Sequence, residues 1–224
     1  MNTQDTNKRI RLIMYLRNKG ITDMNVLGAI EKVPREKFVP ASVVDQAWDD
    51  IALPIGRGQT ISQPLVVAAM TAALELNDRD KVLEIGTGCG YQTAVLAKLC
   101  RRVYTIERHK PLLIDAEKRL DELKIRNVTA IAADGMLGWP KINNTDQAPF
   151  DKIIVTAAAR DKPPQALFDQ LKIGGIMVIP VGQNGEQVLR RYKRESEDTY
   201  ALKDLMPVRF VPLLPDIAGG EEAA

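Results

Sequence analysis

The sequence predicts an α/β protein with a doubly wound, mostly parallel sheet, antiparallel strands at its C-terminal edge and a helical addition at its N-terminus. Three observations carry this prediction. From Lys81 onward, short apolar runs alternate with helical segments, the rhythm of a parallel sheet covered on both faces. The first of those runs, Val82-Leu83-Glu84-Ile85, leads into the glycine-rich turn Gly86-Thr87-Gly88-Cys89-Gly90, with a helix following. Two alternating stretches then close the fold with no helix between them, which marks an antiparallel pair.

The elements follow in order. Within 8–18, Ile10, Ile13, Met14 and Leu16 stand among Lys and Arg, which suits an amphipathic helix. Thr22 or Asp23 can cap a second helix running to about residue 33. Pro34 and Pro40 bracket a turn-rich connection, Arg35-Glu36-Lys37-Phe38-Val39. Residues 51–60 read as a loop. Pro64 then opens an apolar helix to about residue 76, in the first turn, where a missing N–H costs nothing. The core is strand 82–85, helix 91–99, strand 103–107, helix 111–124, strand 128–133, strand 152–156, helix 164–171 and strand 176–181. Residues 187–194 and 202–211 form the antiparallel pair. The tail, 216–224, is small and acidic and reads as disordered. A single domain over 1–224 accounts for the whole, with a helical and loop region at 1–76, the α/β core at 77–215 and the tail at 216–224.

Composition narrows the function. The 224 residues carry 31 Lys and Arg against 29 Asp and Glu, a net charge of +2 that speaks against a polyanion such as nucleic acid. The basic run Arg190-Arg191-Tyr192-Lys193-Arg194 reads as the solvated face of a strand. Cys89 and Cys100 form no C-x-x-C and have no neighbouring histidine pair, so no metal site is expected and reduced thiols are. With no secretory hydrophobic region and no bilayer-length apolar run, a soluble cytoplasmic monomer is expected.

The glycines stand at 86, 88 and 90, whereas a dinucleotide fingerprint wants its third glycine where Tyr91 stands. The turn alone names only a nucleotide-like cofactor whose phosphate or carboxylate meets bare backbone and a helix start. Glu107, ending the second strand, can accept from both ribose hydroxyls, which suits NAD and S-adenosylmethionine equally. Glu84 can bind an ammonium group directly or through water, Asp134 beside Gly135 can read an adenine amino group, and the helix start near Tyr91 can receive a carboxylate. Only S-adenosylmethionine carries both that ammonium and that carboxylate. Other acceptors, a non-catalytic S-adenosylmethionine-binding protein and an NAD-dependent oxidoreductase are the competing readings.

At this point the chain resembles the protein-L-isoaspartate O-methyltransferases, bacterial branch. The residues that carry the likeness are Val33-Pro34-Arg35-Glu36-Lys37-Phe38-Val39-Pro40, Leu53-Pro54-Ile55-Gly56, Gly58-Gln59-Thr60-Ile61-Ser62-Gln63-Pro64 and the turn region 82–93. Further on they are Pro149-Phe150-Asp151-Lys152-Ile153-Ile154-Val155-Thr156-Ala157-Ala158, Gly174-Gly175, Ile179-Pro180-Val181-Gly182 and Arg209-Phe210-Val211-Pro212-Leu213. The glycine turn is shared by many methyltransferases; the segment from Gln59 to Pro64 is far more specific. Cys89 stands where Ser is frequent and Leu65 where an aromatic or His is often found.

The resemblance implies a Rossmann-like class I methyltransferase. It would transfer methyl from S-adenosylmethionine to the free α-carboxylate of isoaspartyl residues in damaged proteins and peptides, which initiates their repair. It implies cofactor contacts at Thr60, Ile61, Glu84, Gly86, Thr87, Gly88, Glu107, Asp134 and Gly135, and Ser62 as the residue that orients the acceptor. From the residues alone, Ser62 could equally be a helix N-cap. A carboxylate acceptor is already ionised at neutral pH, so no general base is needed. The one histidine, His109, then reads as a surface residue starting a helix. Damaged sites vary in sequence, so recognition should rest on backbone. An extended peptide is expected against Ala157-Ala158 and Val181-Gly182, where small residues leave main-chain groups open.

Overall fold

The computed structural model describes residues 3–183 and 185–219. Helices α1 (Thr3–Asn18) and α2 (Met24–Lys32) open the chain. Of the two candidate caps, Asp23 holds the start of α2, accepting from the N–H groups of Asn25 and Val26 at 2.9 and 3.2 Å. The buried face of α1 is set by Leu12 and Leu16, while Ile10 and Met14 stay exposed. Pro34 precedes a 3-10 turn, Arg35–Phe38.

Residues 51–60 depart from the expected loop. Strands β1 (Leu53–Gly56) and β2 (Gln59–Ile61) form an antiparallel hairpin, with Leu53 opposite Ile61 and Pro54 opposite Thr60. Its tip turns through positive φ at Gly56, Arg57 and Gly58, which periodicity does not reveal. Helix α3 (Pro64–Ala73) follows and stops short of residue 76, because Glu75 takes a left-handed conformation.

The core alternates as expected: β3 (Lys81–Ile85), α4 (Tyr91–Ala97), β4 (Arg102–Glu107), α5 (Lys110–Glu122), β5 (Val128–Ala132), β6 (Phe150–Val155), α6 (Gln165–Asp169), β7 (Leu171–Gln183), β8 (Glu186–Arg194) and β9 (Tyr200–Val208). The sheet order is β5-β4-β3-β6-β7-β8-β9, parallel through β7 and antiparallel for β8 and β9. Successive residues go to opposite faces, so Ile154, Ile176 and Val178 join one apolar layer and Ile153, Val155, Met177 and Ile179 the other. From β3 the chain winds out through β4 and β5, then returns to lay β6 on the other side of β3. That reversal leaves a crevice at the C-terminal ends of β3 and β6.

Two readings are corrected at the sheet edge. The basic run 190–194 is not a uniformly solvated face: Tyr192 is buried, Arg191 donates to the Ala73 carbonyl and Glu75, and Arg194 to the carbonyls of Phe168 and Leu171. The alternation of the strand sends these side chains inward in turn. Nor is the start of the tail loose. The Asp216 N–H donates to Asp134 Oδ2 at 2.9 Å and the Ala218 N–H to the Arg108 carbonyl at 3.0 Å. Residues 220–224 lie outside the described residues.

Candidate active site

The crevice opens into a cavity of about 770 Å³, within the range of small-molecule sites. Its wall brings together Thr60, Ile61, Ser62, Gly86, Thr87, Gly88, Glu107, Gly135 and Ala157. Glu84, Asp134, Ala158, Val181 and Gly182 are not among the lining residues.

Gly86 begins the glycine turn at φ +93°, and a Cβ there would fall 2.3 Å from Thr156 Oγ1. That hydroxyl cannot easily withdraw, since it donates to the carbonyls of Ile85 and Gly86 at 3.0 and 2.7 Å. Gly90, at φ +89°, lets the start of α4 approach Ala116 of α5, where a Cβ would lie 3.2 Å away. The third glycine therefore serves helix packing one position earlier than a dinucleotide fold would have it.

Glu107 ties the turn to the strand end: one carboxylate oxygen accepts the Gly88 N–H at 2.8 Å and the other the His109 N–H at 2.9 Å. Each oxygen keeps a lone pair for the cavity. Glu84 lies deeper and is fully buried. Its Oε2 accepts from the Thr93 and Thr105 hydroxyls at 2.5 and 2.7 Å, and Oε1 has no partner. Burial pushes this carboxyl up from 4.5 to about 8, against the pull of those two hydroxyls. Thr87 continues the chain outward, its hydroxyl 2.7 Å from that of Thr105. Asp134 is engaged twice, by the Met136 N–H at 2.8 Å and the Asp216 N–H at 2.9 Å.

On the other wall, the N-cap of α3 is Gln63 and no side chain of its own caps it. The first-turn N–H of Leu65 is taken instead by Asp50 Oδ1 at 2.8 Å, while Asp50 Oδ2 accepts from Gln63 Nε2 at 2.8 Å. Ser62 is thus not needed as a cap, and the residue lines the cavity. Its carbonyl accepts from Arg35 Nη2 at 2.9 Å.

The main-chain groups expected to stand open are not all open. The Ala158 N–H donates to the Val211 carbonyl and its carbonyl accepts from Leu213, both at 2.8 Å, and the Gly182 N–H donates to Ala159 at 2.9 Å. The chain after β9 has laid itself where a peptide was expected. Gln187 steers it there by bonding both the N–H and the carbonyl of Phe210. Residues 206–214 consequently line the cavity.

His109 is the second correction. It is 5% exposed, lines the cavity and leaves Nε2 unpartnered. The signal was its place as N-cap of α5 immediately past the end of β4, a position that faces the crevice in this fold. Asp50 also escaped the sequence reading, and the contact between Arg35 and Tyr91 was not foreseen. Cys89 lines the cavity too, but burial raises its thiol pKa and keeps it protonated.

Fold and site together define a class I methyltransferase. A family model for protein-L-isoaspartate(D-aspartate) O-methyltransferase matches residues 7–217. The Rhodospirillum rubrum protein-L-isoaspartate O-methyltransferase is 59% identical over 209 residues, covering 92% of this chain and 93% of that protein. The Rhodospirillum centenum enzyme is 56% identical over 211 residues, covering 94% and 93%. Among solved structures, a protein-L-isoaspartate O-methyltransferase aligns with a TM-score of 0.80 at 28% identity, over 93% of this chain and 67% of that one. The Plasmodium falciparum beta-aspartate methyltransferase, in complex with S-adenosyl-L-homocysteine, aligns at 0.77 and 25% identity, over 91% and 97%. The chain belongs to the protein-L-isoaspartate O-methyltransferase family.

Proposed function

We propose that this chain methylates the free α-carboxylate of L-isoaspartyl residues in damaged proteins and peptides, with Ser62 orienting that carboxylate. Family membership over nearly the whole chain supports the reaction. The observation that carries the residue assignment is Ser62 itself, not needed as a cap and lining the same cavity as the glycine turn.

The residues fit S-adenosylmethionine. Gly86 and Gly135 mark close approach, since a Cβ at either would fall 2.3 Å from a neighbouring side chain. Glu107 offers lone pairs suited to ribose hydroxyls, and Thr60, Ile61 and His109 complete that side. Glu84 offers, behind the turn, a carboxyl oxygen with no partner among the described residues, and an ammonium end arriving there would favour its ionised form. When bound, S-adenosylmethionine supplies a methyl group on a sulfonium sulfur, which the acceptor carboxylate takes with release of a neutral thioether.

No side chain needs to move a proton, because the acceptor is ionised at neutral pH. The task of the chain is alignment and exclusion of water. Holding two reactants in attack geometry supplies roughly 7–11 kcal/mol. The segment 206–214 covers the cavity and helps strip the carboxylate of its hydration. Ser62 directs one oxygen and Ala157 leaves room for peptide backbone. Ala158 acts through the covering segment that it bonds at Val211 and Leu213, and Val181 and Gly182 pair with Ala159 beside it.

The proposal includes a cytoplasmic monomer of one domain that acts on neither nucleic acid nor membranes. The balanced charge supports the part that concerns nucleic acid. Among the described residues no helix is long and apolar enough to cross a membrane. The test offers labelled S-adenosylmethionine with paired peptides that differ only in Asp against isoAsp. Base-labile methyl ester on the isoAsp peptide alone is expected; label on neither, or on both equally, overturns the reading.

A further inference from the structure

Arg35 is the largest fully buried side chain of the N-terminal region, at 0% exposure, and nothing in the reaction so far has used it. Its Nε donates to the Ala47 carbonyl at 2.8 Å, and its Nη2 to the carbonyls of Ser62 and Ile51 at 2.9 and 3.4 Å. The guanidinium lies 4.8 Å from the ring centroid of Tyr91. These hydrogen bonds all go to main-chain carbonyls, 12, 16 and 27 residues further along the chain.

Such a group is costly. Burial lowers its pKa, and Asp50 attracts it without a salt bridge between them, so much of the desolvation penalty remains. A hydrocarbon side chain would fill the volume without that penalty. What a hydrocarbon cannot do is hold three separate segments in one plane. Two of the contacts reach the cavity: Ser62 on the acceptor wall, and Tyr91, the first residue of α4 after the glycine turn. Asp50 grips the same segment at Gln63 and Leu65. Arg35 bonds Ser62 itself and also lies on the helix that follows the cradle.

We propose that Arg35 is a positioning residue for methyl transfer: by gripping the Ser62 carbonyl while stacked on Tyr91, it fixes the Ser62 hydroxyl relative to the methyl-donor cradle. This rests on Ser62 orienting the acceptor. A lysine cannot replace it, since an ammonium is a point charge that neither stacks flat nor forks between carbonyls.

The test compares Arg35→Lys, Arg35→Met, Ser62→Ala and the two double variants, each checked for folding by circular dichroism. Turnover of an isoAsp peptide and calorimetric S-adenosylhomocysteine affinity are read for all. Either Arg35 variant is expected to lower kcat roughly ten- to a hundredfold, the loss a displacement of about 1 Å brings, with S-adenosylhomocysteine affinity within about threefold of the parent. On the Ser62→Ala background the same substitution should cost less than about threefold, because residues that act as a unit are not additive. Full additivity, unchanged kcat in a folded variant, or failure of both Arg35 variants to fold and bind S-adenosylhomocysteine overturns the proposal. Wild-type turnover in the Ser62→Ala single variant overturns the Ser62 reading as well, and so is told apart.

Discussion

On the cofactor side of the cavity, one turn and the strands beside it supply the wall: Gly88 is held by Glu107, nineteen residues on, and Glu84 by Thr93 and Thr105. On the acceptor side, the Ser62 segment takes its hydrogen bonds from Arg35 and Asp50, both before the hairpin, with separations of 27 residues to Ser62 and 13 and 15 to Gln63 and Leu65. The first wall is held by the turn and the strand register. The second is held by side chains of the N-terminal region, and so can be disturbed at residues that make none of the first wall's bonds.

The largest expected separation between the walls comes from glycine. Gly86→Ala forces a side chain onto φ +93° and onto a hydroxyl 2.3 Å away that is bonded twice. Strain of about 1–3 kcal/mol plus the clash should lower S-adenosylhomocysteine affinity by about a hundredfold or more. Gly58→Ala, at φ +65° in the hairpin tip with open space around it, carries strain without a clash. Its cofactor affinity should stay within about threefold of the parent. Calorimetry on the pair breaks the comparison if both lose affinity alike.

Ser62→Ala should give the complementary result. The carbonyl that Arg35 grips is unchanged, so the segment keeps its place. Turnover of an isoAsp peptide is expected to fall roughly ten- to a hundredfold while S-adenosylhomocysteine affinity holds. Steady-state kinetics beside calorimetry reads both numbers, and unchanged turnover would remove Ser62 from the site.

The same division explains what could be read from the chain. Strand–helix alternation, the turn and Glu107 were legible because each depends on residues close in sequence or on a fixed spacing. The hairpin at Leu53–Gly56 and Gln59–Ile61 was not, since its tip rests on φ values rather than on a hydrophobic period. His109 was misplaced for a related reason: a polar residue beside a lysine at a helix start looks like surface, and only the crevice of the folded sheet buries it. Asp134 shows the limit from the other side. Its position at the end of β5 was found, but its engagement by Asp216, 82 residues away, is written nowhere near it.

Each wall is also backed by one buried ionisable group that forms no salt bridge among the described residues, Glu84 behind the turn and Arg35 bonded to Ser62, and they differ in what pH does to them. A guanidinium stays charged across the working range even when burial lowers its pKa. Glu84 does not, because its folded pKa of about 8 lies above the ordinary 4.5. Between those values the folded state holds a proton that the unfolded state has lost, so the contribution to stability is full below about 4.5 and falls as pH rises toward 8. In the ligand-free protein Glu84→Gln removes this dependence and keeps the hydroxyl contacts, since an amide oxygen can still accept from Thr93 and Thr105. Urea midpoints of the ligand-free protein at pH 5.5 and pH 8.5 should therefore drop further in the parent than in the variant. Equal drops would show that Glu84 ionises without cost, and would place the pH response of the fold outside the cofactor wall.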